Sequence, residues 1–114
     1  MRILFCGDRD WTDVEKISQA FDDYLPKVVI EGEARGADTL ARLEAERRGI
    51  PYLRFPADWD QYGRSAGPIR NKQMLVEGKP DLVLAFHSDI ENSKGTANMK
   101  KQAEAAGVQV IVIP

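Results

Sequence analysis

Five short apolar runs divide this chain, and a helical pattern separates each from the next. They are Ile3-Leu4-Phe5-Cys6, Val28-Val29-Ile30, Tyr52-Leu53-Arg54-Phe55, Leu82-Val83-Leu84-Ala85-Phe86 and Val108 to Ile113, the third being the weakest pattern. Near-continuous apolar strands, in place of apolar–polar alternation, suit a parallel sheet covered on both faces. Between the first two runs, Thr12-Asp13-Val14-Glu15 fits a capping box, with Thr12 as the cap and Glu15 reaching back. Val14, Ile17, Phe21 and Tyr24-Leu25 then share one helical stripe. A second helix is expected from Gly36 to about Arg48, stopped by Gly49. A third should run from Pro68 to about Glu77, and a last one from Gly95-Thr96 until Gly107. Crossovers between parallel strands should be right-handed. No internal repeat, low-complexity segment or linker interrupts the pattern, so residues 1–114 read as a single domain.

The bulk properties narrow the function classes. A chain of 114 residues is long enough for one domain with its own core. Its net charge of −2 exerts no global pull toward nucleic acid or anionic membrane. The single cysteine, Cys6, allows no internal disulfide and no thiolate metal cluster, and it sits within an apolar run as a small core residue. No metal site is expected. No apolar run approaches the roughly 20 residues needed to cross a bilayer. The opening Met1-Arg2-Ile3-Leu4-Phe5 is too short for a signal peptide, so a cytoplasmic protein is expected.

Polar and glycine-rich clusters follow the ends of the apolar runs, all at what must be one edge of the sheet. Gly7-Asp8-Arg9-Asp10-Trp11 follows the first run and Glu31-Gly32-Glu33-Ala34-Arg35-Gly36-Ala37-Asp38 the second. The segment Pro56 to Gly67 follows the third and His87 to Thr96 the fourth. In open α/β sheets, ligands bind beyond the carboxyl ends of the strands, near the point where strand order reverses. A connection as long as Pro56 to Gly67 inside a compact domain is usually functional.

Within that connection, Asp58-Trp59-Asp60-Gln61-Tyr62-Gly63-Arg64-Ser65-Ala66 is too polar for a strand, and Gly67-Pro68 then opens a helix, proline suiting its first position. Arg70 and Asn71 would fall in the first turn, where a cation opposes the helix dipole at a cost of roughly 0.3–1 kcal/mol. A helix built only for stability would carry Asp or Glu there. An anion bound between the helix start and Arg64 and Arg70 explains the choice. Arg9 and Arg35 join them at the same edge, and guanidinium forks match phosphate and carboxylate geometry. Gly95-Thr96 at a helix start offers free N–H groups and a hydroxyl, with Ser93 beside it; the same residues also serve as an ordinary cap. Gly32 and Gly36 either admit a phosphate or make a tight turn, and Asp38 complements the dipole of its helix. Trp11, Trp59 and Tyr62 could stack on a base or roof the core. His87 is the only histidine and has no evident catalytic partner. Glu31, Glu33, Asp58, Asp60, Asp89 and Glu91 supply carboxylates, but their spacing selects neither a catalytic pair nor a metal site, and they could instead pair with the arginines.

These motifs resemble the SLOG superfamily, in particular its small stand-alone YspA-like branch. The resemblance rests on Gly7-Asp8-Arg9-Asp10-Trp11, Ala34-Arg35-Gly36-Ala37-Asp38, Phe55-Pro56-Ala57-Asp58-Trp59, Ala66-Gly67-Pro68-Ile69-Arg70-Asn71 with Met74, and Ser93-Lys94-Gly95-Thr96. It implies a Rossmann-like three-layer α/β/α domain with a five-stranded parallel sheet in the order 3-2-1-4-5. It also implies a nucleotide or nucleotide-derived phosphorylated ligand, with no resident cofactor assigned, and a homodimer as in many relatives. In the related LOG phosphoribohydrolases the signature Pro-Gly-Gly-x-Gly-Thr-x-x-Glu ends in the catalytic glutamate. Here Gly95-Thr96 is kept, the preceding Pro-Gly-Gly is absent and Met99 takes the glutamate position; Arg70 is kept and Asn71 replaces a lysine. Ligand binding therefore carries over better than hydrolysis, and no catalytic residue is assigned. Another relative, the DprA group, binds single-stranded DNA, a reading that a net charge of −2 supports little.

Overall fold

Strand formation follows directly from the apolar runs. In the computed structural model, which describes residues 1–114, the elements are β1 (Arg2–Gly7), α1 (Val14–Tyr24), β2 (Val28–Glu31), α2 (Ala37–Arg48), β3 (Tyr52–Arg54), α3 (Trp59–Tyr62), α4 (Ala66–Gly78), β4 (Leu82–Phe86), α5 (Gly95–Ala105) and β5 (Gln109–Ile113). All pairings are parallel and the order is β3-β2-β1-β4-β5, the Rossmann-like arrangement expected. Strand order reverses between β1 and β4, which run in register from Ile3 opposite Leu82 to Gly7 opposite Phe86.

Side-chain alternation along the strands divides the core in two. Ile3, Phe5, Val29, Leu82, Leu84 and Phe86 pack with Ile17 and Phe21 of α1 and with Ala37, Ala41 and Ala45 of α2. Alanine at each of these three positions lets α2 lie close on the sheet. Phe5 stacks between Phe21 and Phe86, at centroid distances of 4.9 and 5.8 Å. On the opposite face Leu4, Cys6, Ile30, Val83 and Ala85 meet Met74 of α4 and Met99 and Ala103 of α5. Each layer of helices thus buries one parity of the same strands, as the runs without alternation require.

Helix boundaries depart from expectation where a local group wins over the pattern. Asp13, not Thr12, caps α1: its carboxylate accepts the Lys16 N–H at 3.1 Å, so the Thr12–Glu15 box does not form. The Pro56–Gly67 connection is largely helical. Asp58 caps α3 by accepting the Gln61 N–H at 3.1 Å, and a 3₁₀ turn over Gly63–Ser65 leads into α4. Helix α4 therefore begins at Ala66, and Pro68 is its third residue, still within the turn where no N–H acceptor exists. This places Arg70 one turn inside the helix and not at its opening.

Candidate functional site: a cleft at the switch point

A cleft of about 800 Å³ opens over the carboxyl ends of β1 and β4, within the range of small-molecule sites. Its floor is Cys6, Gly7, Met74 and Met99, and its walls come from the segments after β1, β2, β3 and β4.

The segment after β1 is pinned at both ends. The Asp8 N–H donates to the Phe86 carbonyl at 2.9 Å, and the Asp8 carbonyl accepts from Trp11 and Ala37 at 3.2 and 3.1 Å. Gly36 is required by this contact. Its φ is +77°, and a Cβ there would meet the backbone of Asp8 and Arg9. Arg9 and Asp10 are thereby exposed at the cleft mouth. Trp11 is turned away from it: the indole packs edge-on to Phe86 at 5.7 Å and its N–H donates to the Asp13 carbonyl.

The segment after β2 carries the most confined polar arrangement in the molecule. The Gly32 N–H donates to Asp38 Oδ2 at 2.9 Å, while Arg70 Nη1 donates to the Gly32 carbonyl. A Cβ on Gly32 would come within 2.7 Å of Arg70 Cζ and 2.9 Å of Asp38 Oδ2, so glycine is needed for the close approach. Asp38 is 4 % exposed yet lines the cleft. Burial pushes its carboxyl up to about 6, against the pull of Arg70 and of the Gly32 and Ala34 N–H groups. Burial likewise raises the Cys6 thiol, helped by Asp38, which makes it a neutral floor residue and no nucleophile.

Arg70 differs most from the sequence expectation. It is 9 % exposed, its Nε donates to Asn71 Oδ1 at 3.0 Å, and burial lowers its affinity for its proton while Asp38 opposes that. Asn71 in turn donates to the Gly95 carbonyl and to Asn98 Oδ1. The pair staples the β2–α2 turn, α4 and the start of α5 together. Two of the Arg70 N–H groups are thus taken up by neutral acceptors of the protein, while the side chain still lines the cleft.

The cations on the rim are Arg9, Arg35, Arg64 and Lys94, all exposed. The Arg9 guanidinium lies 5.5 Å from the Trp59 ring centroid, bridging the mouth between the first and third segments. Arg35 meets Asp10 at 3.3 Å, but both side chains are exposed, so the pair is easily displaced. At the start of α5, the N–H groups of Lys94, Gly95 and Thr96 donate to no backbone carbonyl. The Ser93 hydroxyl is occupied, accepting the Ala97 N–H at 3.0 Å and donating to Ile90. His87 lines the same wall. Its Nδ1 accepts the Asp89 N–H at 2.9 Å, which leaves the ring proton on Nε2.

The structure therefore gathers Gly7, Arg9, Asp10, Arg35, Asp38, Trp59, Arg64, Gly67, Arg70, Asn71, Ser93, Gly95 and Thr96 around one cleft. Trp11, Gly32, Gly36 and Asp58 stand behind its walls, as core cover, turn and cap. Asp8 and Lys94 line it without being among the expected site residues, and so does His87, which the sequence offers only as a lone histidine without a catalytic partner. For Asp8 and His87 the available signal is a position directly beyond a strand end, and for Lys94 its place before the Gly95-Thr96 helix start. No group of three or more His, Cys, Asp or Glu side chains is arranged to hold a metal ion, and no helix is long and apolar enough to cross a membrane.

The family described as YspA, cpYpsA-related SLOG matches residues 1–62, more than half of the chain. The Gene 61 protein of Mycobacterium phage D29 is 34 % identical over 120 residues, covering 96 % of this chain and 94 % of that protein. The chain belongs to this SLOG family. The residues matched to the SLOG family reach from β1 through α3 and include Gly7–Trp11 and Gly32–Asp38. The α4 and α5 walls lie beyond them. DNA processing protein A (DprA) from Streptococcus pneumoniae shares the fold, with a TM-score of 0.70 at 19 % identity. That likeness covers 98 % of this chain but only 50 % of the DprA chain, so this chain spans half the length of that relative.

Proposed function

We propose that the cleft binds a phosphorylated, nucleotide-derived small molecule and that the protein works as a binding module or sensor. The observation that carries this reading is the start of α5, where three successive N–H groups without a backbone acceptor belong to residues that line a cleft rimmed by Arg9, Arg35, Arg64 and Lys94. A helix start combines free donors with the positive end of the dipole, the elements of a phosphate site. Trp59, 48 % exposed beside Arg9, offers a face on which a base can stack. SLOG membership agrees with a nucleotide-related role.

Titration calorimetry against nucleoside monophosphates, dinucleotides, cyclic nucleotides and ADP-ribose tests the reading. Binding of at least one class is expected, and Arg64→Ala should weaken it about tenfold, the loss of roughly 1.5 kcal/mol from one charge-assisted bond. Folded protein that binds none of them, or binding indifferent to Arg64, overturns it.

A second reading has one observation in its favour. Asp38 is the one cleft carboxyl that is nearly buried, and it holds its proton up to about pH 6. A carboxylic acid so placed could protonate the leaving base in N-glycosidic hydrolysis. Against it, Met99 is buried at the position of the LOG glutamate. Release of free base from a nucleotide panel, lost in Asp38→Asn, would establish this activity; no turnover removes it.

A further inference from the structure

Glu31 is the last residue of β2 and is fully buried, outside the lining of the cleft. It shares strand parity with Val29 and so projects to the α2 side of the sheet. Its Oε1 accepts the Glu33 N–H at 2.7 Å, whereas its Oε2 is buried and has no partner. Glu33 is one of the few non-glycine residues here with positive φ, +58°, so the bond its N–H donates to Glu31 holds a costly turn in place. That turn is the one whose Gly32 N–H donates to Asp38 and whose Gly32 carbonyl accepts from Arg70.

The surroundings of Glu31 contain a second unanswered atom. Arg42 of α2 acts on Glu31 by its charge, but its guanidinium pairs with Glu46 at 2.7 Å, and its Nε is buried without a partner. Glu46 also accepts from the Tyr52 hydroxyl of β3 at 2.8 Å. On the turn itself, Glu33 pairs with Arg54 of β3 at 3.0 Å. Asp38, from the first turn of α2, repels charge on Glu31. The groups facing Glu31 are therefore two carboxylates, Asp38 and Glu33, and one arginine committed elsewhere.

We propose that Glu31 is a positioning residue of the cleft, whose buried carboxyl fixes the turn over Gly32 and Glu33, and that loss of its proton reshapes that wall and weakens anion binding. Burial pushes the carboxyl up to about 7, helped by Asp38 and against the Glu33 N–H bond and Arg42, which favour the ionised form, and this places the change near neutral pH. The neutral group leaves the Arg42–Glu46–Tyr52 chain intact. The ionised group adds a buried negative charge beside Asp38 and draws Arg42 away from Glu46. The effect on ligand rests on the proposed anion site; the effect on the turn does not.

Two measurements on the full chain separate these parts. In ligand-free protein, the Glu33 amide resonance, whose N–H Glu31 accepts, should titrate with a midpoint near pH 7, and Glu31→Gln should abolish that step; the Gly32 amide follows Asp38 and is read separately. With AMP as probe, affinity should fall several-fold more between pH 6.5 and 8 in the wild type than in Glu31→Gln; the ionisation of AMP itself is common to both. A flat Glu33 amide resonance, the same titration in Glu31→Gln, or AMP profiles that coincide overturn the proposal. If Glu31→Gln does not fold, the carboxyl carbon of Glu31 is followed in the wild type, where a midpoint in the ordinary glutamate range overturns it. AMP that binds neither protein, beside an intact amide titration, removes the ligand reading and leaves the turn switch standing.

Discussion

Arg70 and Arg64 stand six residues apart on one continuous helical segment and do different work. Arg70 turns inward and gives its N–H groups to the Gly32 carbonyl and Asn71, whereas Arg64 is exposed on the rim. Removing the buried guanidinium leaves the Gly32 carbonyl and Asn71 Oδ1 without their donor, at roughly 1–3 kcal/mol each. Arg70→Ala should therefore lower the urea midpoint steeply, while Arg64→Ala leaves it unchanged and acts on ligand binding alone. Gly32→Ala tests the same packing from the other side. Its methyl would press on Arg70 Cζ and Asp38 Oδ2, so a loss of about 1–3 kcal/mol is expected. Equal stability of Arg70→Ala and wild type would mean that the guanidinium is not held as described. The residue types at this site were legible in the sequence, but the division of labour among the arginines was not. It depends on which way each side chain faces, and that was hidden once the helix start was placed at Pro68 instead of Ala66. Glu31 was more readable than it looked, since sharing parity with buried Val29 already directs it into the interior.

Elements whose pattern extends over several turns were read well, and those set by one local contact were not. The strands coincide with the short apolar runs, even three-residue β3 with its weaker pattern, and their existence and order agree with expectation. Helix α3 has four residues, too few for a period, and depends on the Asp58 cap. Helix α1 ends without glycine: Leu25 takes the left-handed conformation at φ +49°, and its N–H donates to the Phe21 carbonyl at 2.9 Å. Nothing in the residue type announces that stop. The other end of α1 offers a clean test. Asp13, not Thr12, holds the Lys16 N–H. Asp13→Ala should cost about 1 kcal/mol, and Thr12→Ala should stay within about 0.5 kcal/mol. Chemical denaturation of the two variants decides between the caps, because the capping-box reading predicts the reverse order.

At the scale of the whole molecule, the buried carboxyls tilt the dependence of stability on pH. Glu31 and Asp38 are raised to about 7 and about 6, both chiefly by burial. In the unfolded chain each loses its proton near pH 4. Between those limits the folded state holds protons that the unfolded state has released, so unfolding is favoured as pH rises through the window. The contribution is fully present below about pH 4 and gone above about pH 7. Glu44 and Glu46 act in the opposite sense. Arg47 holds the first below the ordinary glutamate range and Tyr52 the second, and what they contribute is lost only in stronger acid. The two effects occupy different pH ranges, so stability should peak in mild acid. A shift of two pKa units corresponds to about 3 kcal/mol per group, and mutual repulsion of Glu31 and Asp38 makes the pair less than additive. Urea denaturation should accordingly give a higher unfolding free energy at pH 5 than at pH 7.5. Glu31→Gln, neutral at both, should regain much of the difference at pH 7.5 and narrow the gap between the two conditions. A wild type more stable at pH 7.5 than at pH 5 would require both carboxyls to be ionised and well paired in the fold, which the partnerless Oε2 of Glu31 does not allow.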